Sequence, residues 1–446
     1  MTPRNIRELL DDWESRQLLY RVRKEVDPQF ELGAVLKTKN GAKPFLFENV
    51  LGYDVPMLAG TGGCRDLMAD SMGIETDEIV PHMIDALVNP IETTLVPTGP
   101  VHENVVTGPF NLDDFFPVPT FHELDCGPYY VSGVLVVKDM DGNKRYTSIR
   151  RMGVLGGNRT NIVITSPELQ RQYAHFEEKG EPMEIALMFG VTPAVVLASQ
   201  YSTHLYHADK LNLASALTGQ SLDVVKCKTV DLEVLAEAEI VMEGKILPHE
   251  RDPEGLFGEL GGYYGGNEPQ PIVEMTAITY RDNPIPQTIL PASAEERLPM
   301  CLVREMTLFS TVRQTVENVK AVHVPMAAAA RLHAVIQIDK KTEGDAKQAA
   351  LAAFASDKDL KHVVVVDDDV DLFNAEDVEW AIATRTQAAK DIFIVSGAKG
   401  SPLESSHNIN DVSDKMGIDA TVPLDQKEAF QRTSIPFKVD NLEDYL

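Results

Sequence analysis

"RLHAVIQIDKKTEGDAKQAALAAFASDKDLKHVVVVDDDVD", residues 331–371, decides how the chain must be divided. An apolar run, an alanine-rich segment with helical spacing and four consecutive valines read as strand, helix and strand. "NAEDVEWAIATR" and "DIFIVSG" then repeat the helix and the strand. Alternation of this kind predicts a C-terminal α/β domain over residues 308–446 with a mainly parallel sheet. Upstream the pattern differs. "YYVSGVLVVKD", "RYTSIRRMGVL", "NIVITS", "MEIALMFG", "AVVLASQ", "EIVMEGKIL" and "IVEMTAITYRD" read as strands, with one long polar helix, "PELQRQYAHFEEKG", among them. Such a density of strands predicts a barrel-like or sandwich β domain over residues 98–307. Residues 1–97 mix helices with short strands, and a proline-rich linker, "VPTGPVHENVVTGPFNLDDFFPVPTFHE", leads out of them. The expected class is α+β.

Composition narrows the function. A chain of 446 residues is too long for one ordinary core, and 43% apolar residues suffice for packed interiors. A net charge of −27 argues against nucleic acid and anionic membranes as partners. The opening "MTPRNIRELLDDWESRQ" is a polar amphipathic helix start rather than a signal peptide. No apolar run approaches the ~18 residues of a membrane span. Cys64, Cys126, Cys227 and Cys301 are scattered without metal-type spacing, which points to a reducing, cytoplasmic setting. In so acidic a chain, an anionic ligand must be met by a local concentration of Arg and Lys.

"KRYTSIRRMGV" supplies one, crowding Lys144, Arg145, Arg150 and Arg151 onto a predicted strand. Neighbours on a strand face opposite ways, so one of Arg150 and Arg151 points inward, where a guanidinium clamps carboxylate or phosphate. A basic surface strand would carry the same letters. "HERDPEGLFGELGGYYGGNEP", residues 249–269, sets Glu254 and Glu259 among six glycines. Such a backbone can approach a ligand closely and can move, carrying acids into a pocket; a solvated acidic hairpin loop is the alternative. His204 and His207 in "HLYH" are a weak metal motif. Asp367, Asp368 and Asp369 end a predicted strand without a glycine-rich phosphate loop nearby, which favours loop and cap roles.

The order of these pieces resembles the UbiD family of reversible (de)carboxylases. "IRELLDDWESRQLLYRVRKEVDPQFELGAV" and "KPFLFENVLGY" are similar to the family's opening elements, and "YTSIRRM" to its catalytic-arginine strand. "DPEGLFGELGGYY" resembles its acidic glycine-rich loop, and "VVVVDDDVDLFNAEDVEWAIATR" and "DKMGIDAT" resemble its C-terminal stretches. The resemblance implies an N-terminal α/β element, a split β-barrel that binds flavin, a linker helix and a C-terminal α/β oligomerisation domain. It implies prenylated FMN made by a flavin prenyltransferase, a small aromatic, heteroaromatic or α,β-unsaturated acid and CO2 as reactants, and a homo-oligomer, dimer or hexamer. The family's Glu–Arg–Glu set falls on Glu254, Arg151 and Glu259. Glu254 is then the proton donor, Arg151 the carboxylate binder and Glu259 the group that orients Arg151. Ser148, Ile149, Arg150, Glu168 and Lys210 fall at cofactor-binding positions, and Arg304 where relatives line the substrate pocket.

The departures are as specific as the matches. Family members hold the flavin phosphate through Mn or Mg bound by Asn, His and Glu, with K nearby. Those places carry Tyr146, Leu169 (or Glu168 under a one-residue shift) and Lys210. A protonated lysine cannot ligate a metal and tyrosine is a poor ligand for a hard cation. Two readings stay open: Lys210, helped by Arg150, replaces the metal, or the site has decayed or been reshaped for another ligand. The second would suit a non-catalytic or cofactor-altered subunit of a multi-subunit carboxylase.

Overall fold

Val134, Leu135, Val136 and Val137 are all fully buried, so the strand they form has core on both faces. That is why its sequence is an unbroken apolar run rather than an alternation. The structure, a computed structural model, describes residues 2–139, 142, 144–202, 208–266, 268–406, 412–437 and 445. His204 and His207 lie outside the described residues. The chain gathers into two units: residues 1–306 with 324–331 and 402–405, and residues 307–323, 332–401 and 406–446.

In the first unit the dominant sheet has nine strands: β1 (Asn104–Thr107), β2 (Tyr129–Tyr130), β3 (Val134–Lys138), β4 (Arg145–Ile149), β5 (Met152–Gly156), β6 (Arg159–Asn161), β7 (Met183–Phe189), β8 (Ile240–Pro253) and β9 (Pro269–Tyr280). Their order is β2-β5-β6-β9-β8-β7-β3-β4, with β1 also on β9. β4 closes one end of this order and β5 lies next to the other end, yet only Arg150 and Arg151 separate them in the chain. Three Cα–Cα steps span at most about 11 Å, so the sheet has to curl until its ends nearly meet. The result is a half-barrel with a seam. Leu135, Val137, Met152, Ile185, Leu187, Met242 and Val273 fill one side of the sheet. On its other side Val134, Val136, Ala186, Met188 and Val241 pack against helices, including α2 and α3 below.

The helices that shape the site are α1 (Pro167–Lys179), α2 (Pro193–Ser199), α3 (Lys210–Thr218) and α4 (Ala294–Val312). α4 lies in the chain where the first unit gives way to the second. Ahead of the half-barrel, strands Tyr20–Val22, Phe45–Phe47 and Met57–Ala59 form a small sheet beside helix Ile6–Ser15, whose Ile6, Leu9, Leu10 and Trp13 are buried at helical spacing. In the second unit the strand order is Val319–His323, His333–Ile338, His362–Asp367, Val412–Ala420, Ile392–Lys399. Among the described residues no helix is long and apolar enough to cross a membrane.

Several sequence expectations need correction, and "NIVITS" is one of them, since only its Asn161 lies in a strand, β6. "AVVLASQ" is not a strand: all of it but the capping Gln200 lies in α2, a helix entirely buried and opened by Pro193. A short apolar run carries no period by which to tell strand from buried helix. The proline-rich linker contains β1, whose Asn104–Thr107 pair antiparallel with Thr107's partner Ala277 through Tyr280 of β9. The C-terminal sheet is mixed rather than mainly parallel, because only its two central pairings are parallel and both edges are antiparallel. Finally, Arg150 and Arg151 are not on a strand but in the break between β4 and β5.

Candidate active site

The seam sends its two arginines apart. Arg151 Nε and Nη2 donate to Glu254 Oε1 and Oε2 at 2.5 and 3.1 Å, and Nη1 donates to Glu259 Oε1 at 2.6 Å. Its guanidinium carbon lies 4.5 Å from the centre of the Phe257 ring. Glu254 follows the end of β8, and strands Leu256–Gly258 and Tyr264–Gly266 form a hairpin whose turn holds Glu259. Side-chain exposure is 1% for Glu254, 15% for Arg151 and 20% for Glu259, so Glu254 is the drier acid. The loop is therefore an ordered hairpin with one buried acid, not a solvated acidic turn. Its glycines serve close packing as well as bending. A Cβ on Gly255 would overlap Cys126 Sγ, and one on Gly258 would overlap the His122 ring.

Burial pushes the Glu254 carboxyl above the ordinary carboxylate range; the hydrogen bond and charge of Arg151 pull against it, and Glu259 adds to the rise. One guanidinium cannot fully satisfy two carboxylates. Burial also works against the Arg151 charge, but the Glu254 hydrogen bond and the fields of both acids outweigh it and raise its pKa. Arg151 stays a cation, and burial favours the protonated form of Glu254.

A second buried cation lies against β4. Lys210 opens α3, whose first turn is capped by Asp209 accepting from Leu211 and Asn212 N–H at 3.0 and 3.2 Å. Arg145 holds Asp209 in turn, through its backbone N–H at 3.0 Å and its Nε at 2.8 Å. Lys210 Nζ donates to the carbonyls of Thr147 and Ser199 at 2.7 and 2.9 Å and lies 4.7 Å from the Tyr146 ring centre. Burial, and then the Arg150 charge, push its pKa down to about 7 against the pull of Glu168.

Tyr146 hydroxyl contacts Ser166 Oγ at 2.9 Å and accepts from Arg150 Nη2 at 3.3 Å. Arg150 Nε and Ser148 Oγ are buried without a hydrogen-bond partner. Ile149 is half-buried beside them, and Glu168 is half-buried in the first turn of α1. Orphaned polar atoms beside a cation suit a flavin phosphate. They do not suit a divalent metal. The three expected ligand places hold a phenol already engaged, an ammonium already on two carbonyls, and Leu169, which is fully buried in the core. Glu168 of the one-residue shift is then the one acid of the set. Among the described residues no group of three His, Cys, Asp or Glu is placed to hold a metal ion.

Arg304 is half-buried on α4, but it is Arg297 of that helix that reaches the hairpin, donating to the Leu260 carbonyl at 2.8 Å. Arg297, Asp125 and Tyr129 were not singled out by their sequence context. Only the closeness of glycines 255 and 258 could have hinted at a second segment packed on that backbone. In the second unit, Asp367 and Asp369 both accept from Arg385, at 3.0 Å and at 2.9 and 2.6 Å.

Three family models match the chain in succession: the 3-octaprenyl-4-hydroxybenzoate carboxy-lyase N-terminal domain over residues 10–87, its Rift-related domain over 94–294 and its C-terminal domain over 298–420. Anhydromevalonate phosphate decarboxylase of Methanothermobacter thermautotrophicus is 35% identical over 413 residues, covering 93% of this chain and 96% of that protein. The UbiD-class enzyme HmfF from Pelotomaculum thermopropionicum, solved in complex with FMN, superposes with a TM-score of 0.96 at 47% identity, covering 99% and 100% of the two chains. An evolved dimeric form of that enzyme, in complex with prFMN, gives 0.92 at 45% identity and covers both chains fully.

Proposed function

Because this chain belongs to the UbiD family, we propose that it catalyses the reversible, non-oxidative decarboxylation of a small aromatic, heteroaromatic or α,β-unsaturated carboxylic acid with prenylated FMN. It is a carboxy-lyase. One observation supports the reading above all: a buried guanidinium gripped between two acids, the drier of which has a raised pKa.

Loss of CO2 from an sp2 carbon leaves a carbanion that water cannot stabilise, and the bound cofactor supplies the electron sink. The protein supplies position, dryness and a proton. Arg151 binds the substrate carboxylate through its donor fork, taking over hydrogen bonds now made to Glu254. A third negative charge beside two carboxylates favours the protonated form of Glu254, which then delivers its proton to the carbon that CO2 has left. Glu259 keeps hold of Arg151 throughout. Ser148, Ile149, Arg150, Glu168 and Lys210 would hold the cofactor, with the Lys210 ammonium supplying positive charge for its phosphate in place of Mn or Mg. A flavin prenyltransferase supplies the cofactor, and the enzyme works in the cytoplasm as a homo-oligomer.

The test is co-expression with a flavin prenyltransferase, followed by CO2 release and solvent-deuterium exchange across a panel of unsaturated and aromatic acids. General acid catalysis contributes roughly 10²–10⁴-fold, so Glu254→Gln should lose both activities about a thousandfold. Wild-type rates in that variant would refute the assignment.

A further inference from the structure

Both catalytic acids are placed through the backbone that carries them, and one short stretch of chain holds that backbone. The Tyr129 hydroxyl donates to the Glu254 carbonyl at 2.9 Å, and the Gly258 N–H donates to Asp125 Oδ1 at 2.9 Å. Between these points the Cys126 N–H donates to the Leu256 carbonyl at 3.1 Å, and the Leu256 N–H to Cys126 Sγ at 3.1 Å. Asp125 is itself locked. Its side chain is 1% exposed, and its Oδ2 accepts from the His122 N–H at 2.9 Å and faces His122 Nδ1 at 3.2 Å. Burial works against its charge, but these bonds and the one from Gly258 keep its pKa below the ordinary value. The Tyr129 ring packs edge-on against Phe257, 4.7 Å between centres, and Phe257 underlies the Arg151 guanidinium.

The absence of side chains at 255 and 258 is what admits this stretch, since a Cβ at either place would overlap Cys126 or His122. Gly258 shows none of the left-handed backbone seen at Gly255, so contact alone accounts for its glycine.

We infer that residues 122–129 are a positioning clamp: Tyr129 fixes Glu254, and Asp125 fixes Gly258 and with it Glu259, at the spacing both acids need to meet Arg151. Asp125 and Tyr129 act through the hairpin and are positioning residues. The inference rests on the roles proposed above for the two acids. A displacement of ~1 Å in such a group costs on the order of a hundredfold in rate, so loss of one anchor should be felt in chemistry before binding.

Four variants test it. Tyr129→Phe should lower kcat about tenfold with KM within about twofold. Hydrogen exchange of the full chain, read on peptides from 254–266, should rise in Tyr129→Phe and in Asp125→Asn. Gly258→Ala should be nearly inactive and poorly protected in that hairpin, and adding His122→Ala should restore part of both, because it removes the ring the new methyl meets. Unchanged kcat in Tyr129→Phe would overturn the clamp, as would a Gly258→Ala defect that His122→Ala leaves intact. If the wild type neither decarboxylates nor exchanges any acid, the functional reading fails by itself. Hydrogen exchange then decides the clamp alone, and unchanged protection in Tyr129→Phe and Asp125→Asn overturns it.

Discussion

Arg151 and Lys210 are both cations taken out of water within the same unit, yet Arg151 faces two carboxylates whereas Lys210 faces two backbone carbonyls and an aromatic ring. The consequences run in opposite directions. Full counter-charges raise the arginine's pKa and lock its charge in place. Burial and the Arg150 charge, opposed by Glu168, leave the lysine's charge conditional, with a pKa pushed down to about 7. A buried cation hydrogen-bonded to carboxylates keeps its charge, and one held only by carbonyls keeps it conditionally. This contrast is what the proposed division of work, substrate carboxylate at Arg151 and cofactor phosphate at Lys210, rests on.

The sharpest way to break this contrast is at Arg151. Arg151→Ala strands two carboxylates at the seam, and breaking a buried pair by removing one partner costs roughly 3–5 kcal/mol. Decarboxylation should become undetectable and thermal unfolding should shift sharply down; a stable, active variant would show that the acids do not depend on the guanidinium. Next comes Lys210. Lys210→Met should weaken FMN binding about a hundredfold, read by fluorescence titration, while hydrogen exchange of the 254–266 hairpin stays unchanged. Recovery of tight binding on adding Mn or Mg, in the wild type or the variant, would place a metal where the lysine is proposed to act.

The pH response separates the two cations with a smaller effect. Because the folded-state pKa of Lys210 is depressed, the unfolded chain binds the proton more tightly between about 7 and the ordinary lysine value of 10.5. Stability of the cofactor-free protein should therefore rise with pH across that window, and Lys210→Met should flatten the rise. FMN affinity should fall over the same range, since phosphate prefers the protonated lysine. Arg151 gives no such slope. The smallest effect is expected at Arg304, where Arg304→Ala should cost a few-fold, and selectively for dicarboxylates if it meets a second anionic group. A uniform effect on mono- and dicarboxylates would remove the reason to invoke recognition.

Much of this is legible in the sequence. The apolar run at 134–137 and the valines at 363–366 announce buried strands by composition alone. Glu254, Arg151 and Glu259 are legible because their neighbours form motifs: proline and glycines around the acids, "SIRRM" around the arginine. Tyr146, Leu169 and Lys210 are legible as departures, since a missing ligand type is visible in the letters. The local reading failed where one residue pair had to do something no period encodes. Arg150 and Arg151 were expected on opposite faces of a strand; they do diverge, but across the seam between two strands.

What the order of residues settled by itself is local: which segments are apolar enough to become strands, which glycine-rich stretch can run close to its neighbours, and which chemical groups are present. Only the folded chain decided that Arg151 meets an acid 103 residues away, that Lys210 ends on two carbonyls rather than in water, and that Asp125 reaches Gly258 from 133 residues upstream. The reason is physical. Burial and hydrogen bonding depend on which groups become neighbours in space, and in a curled sheet those neighbours come from distant parts of the sequence.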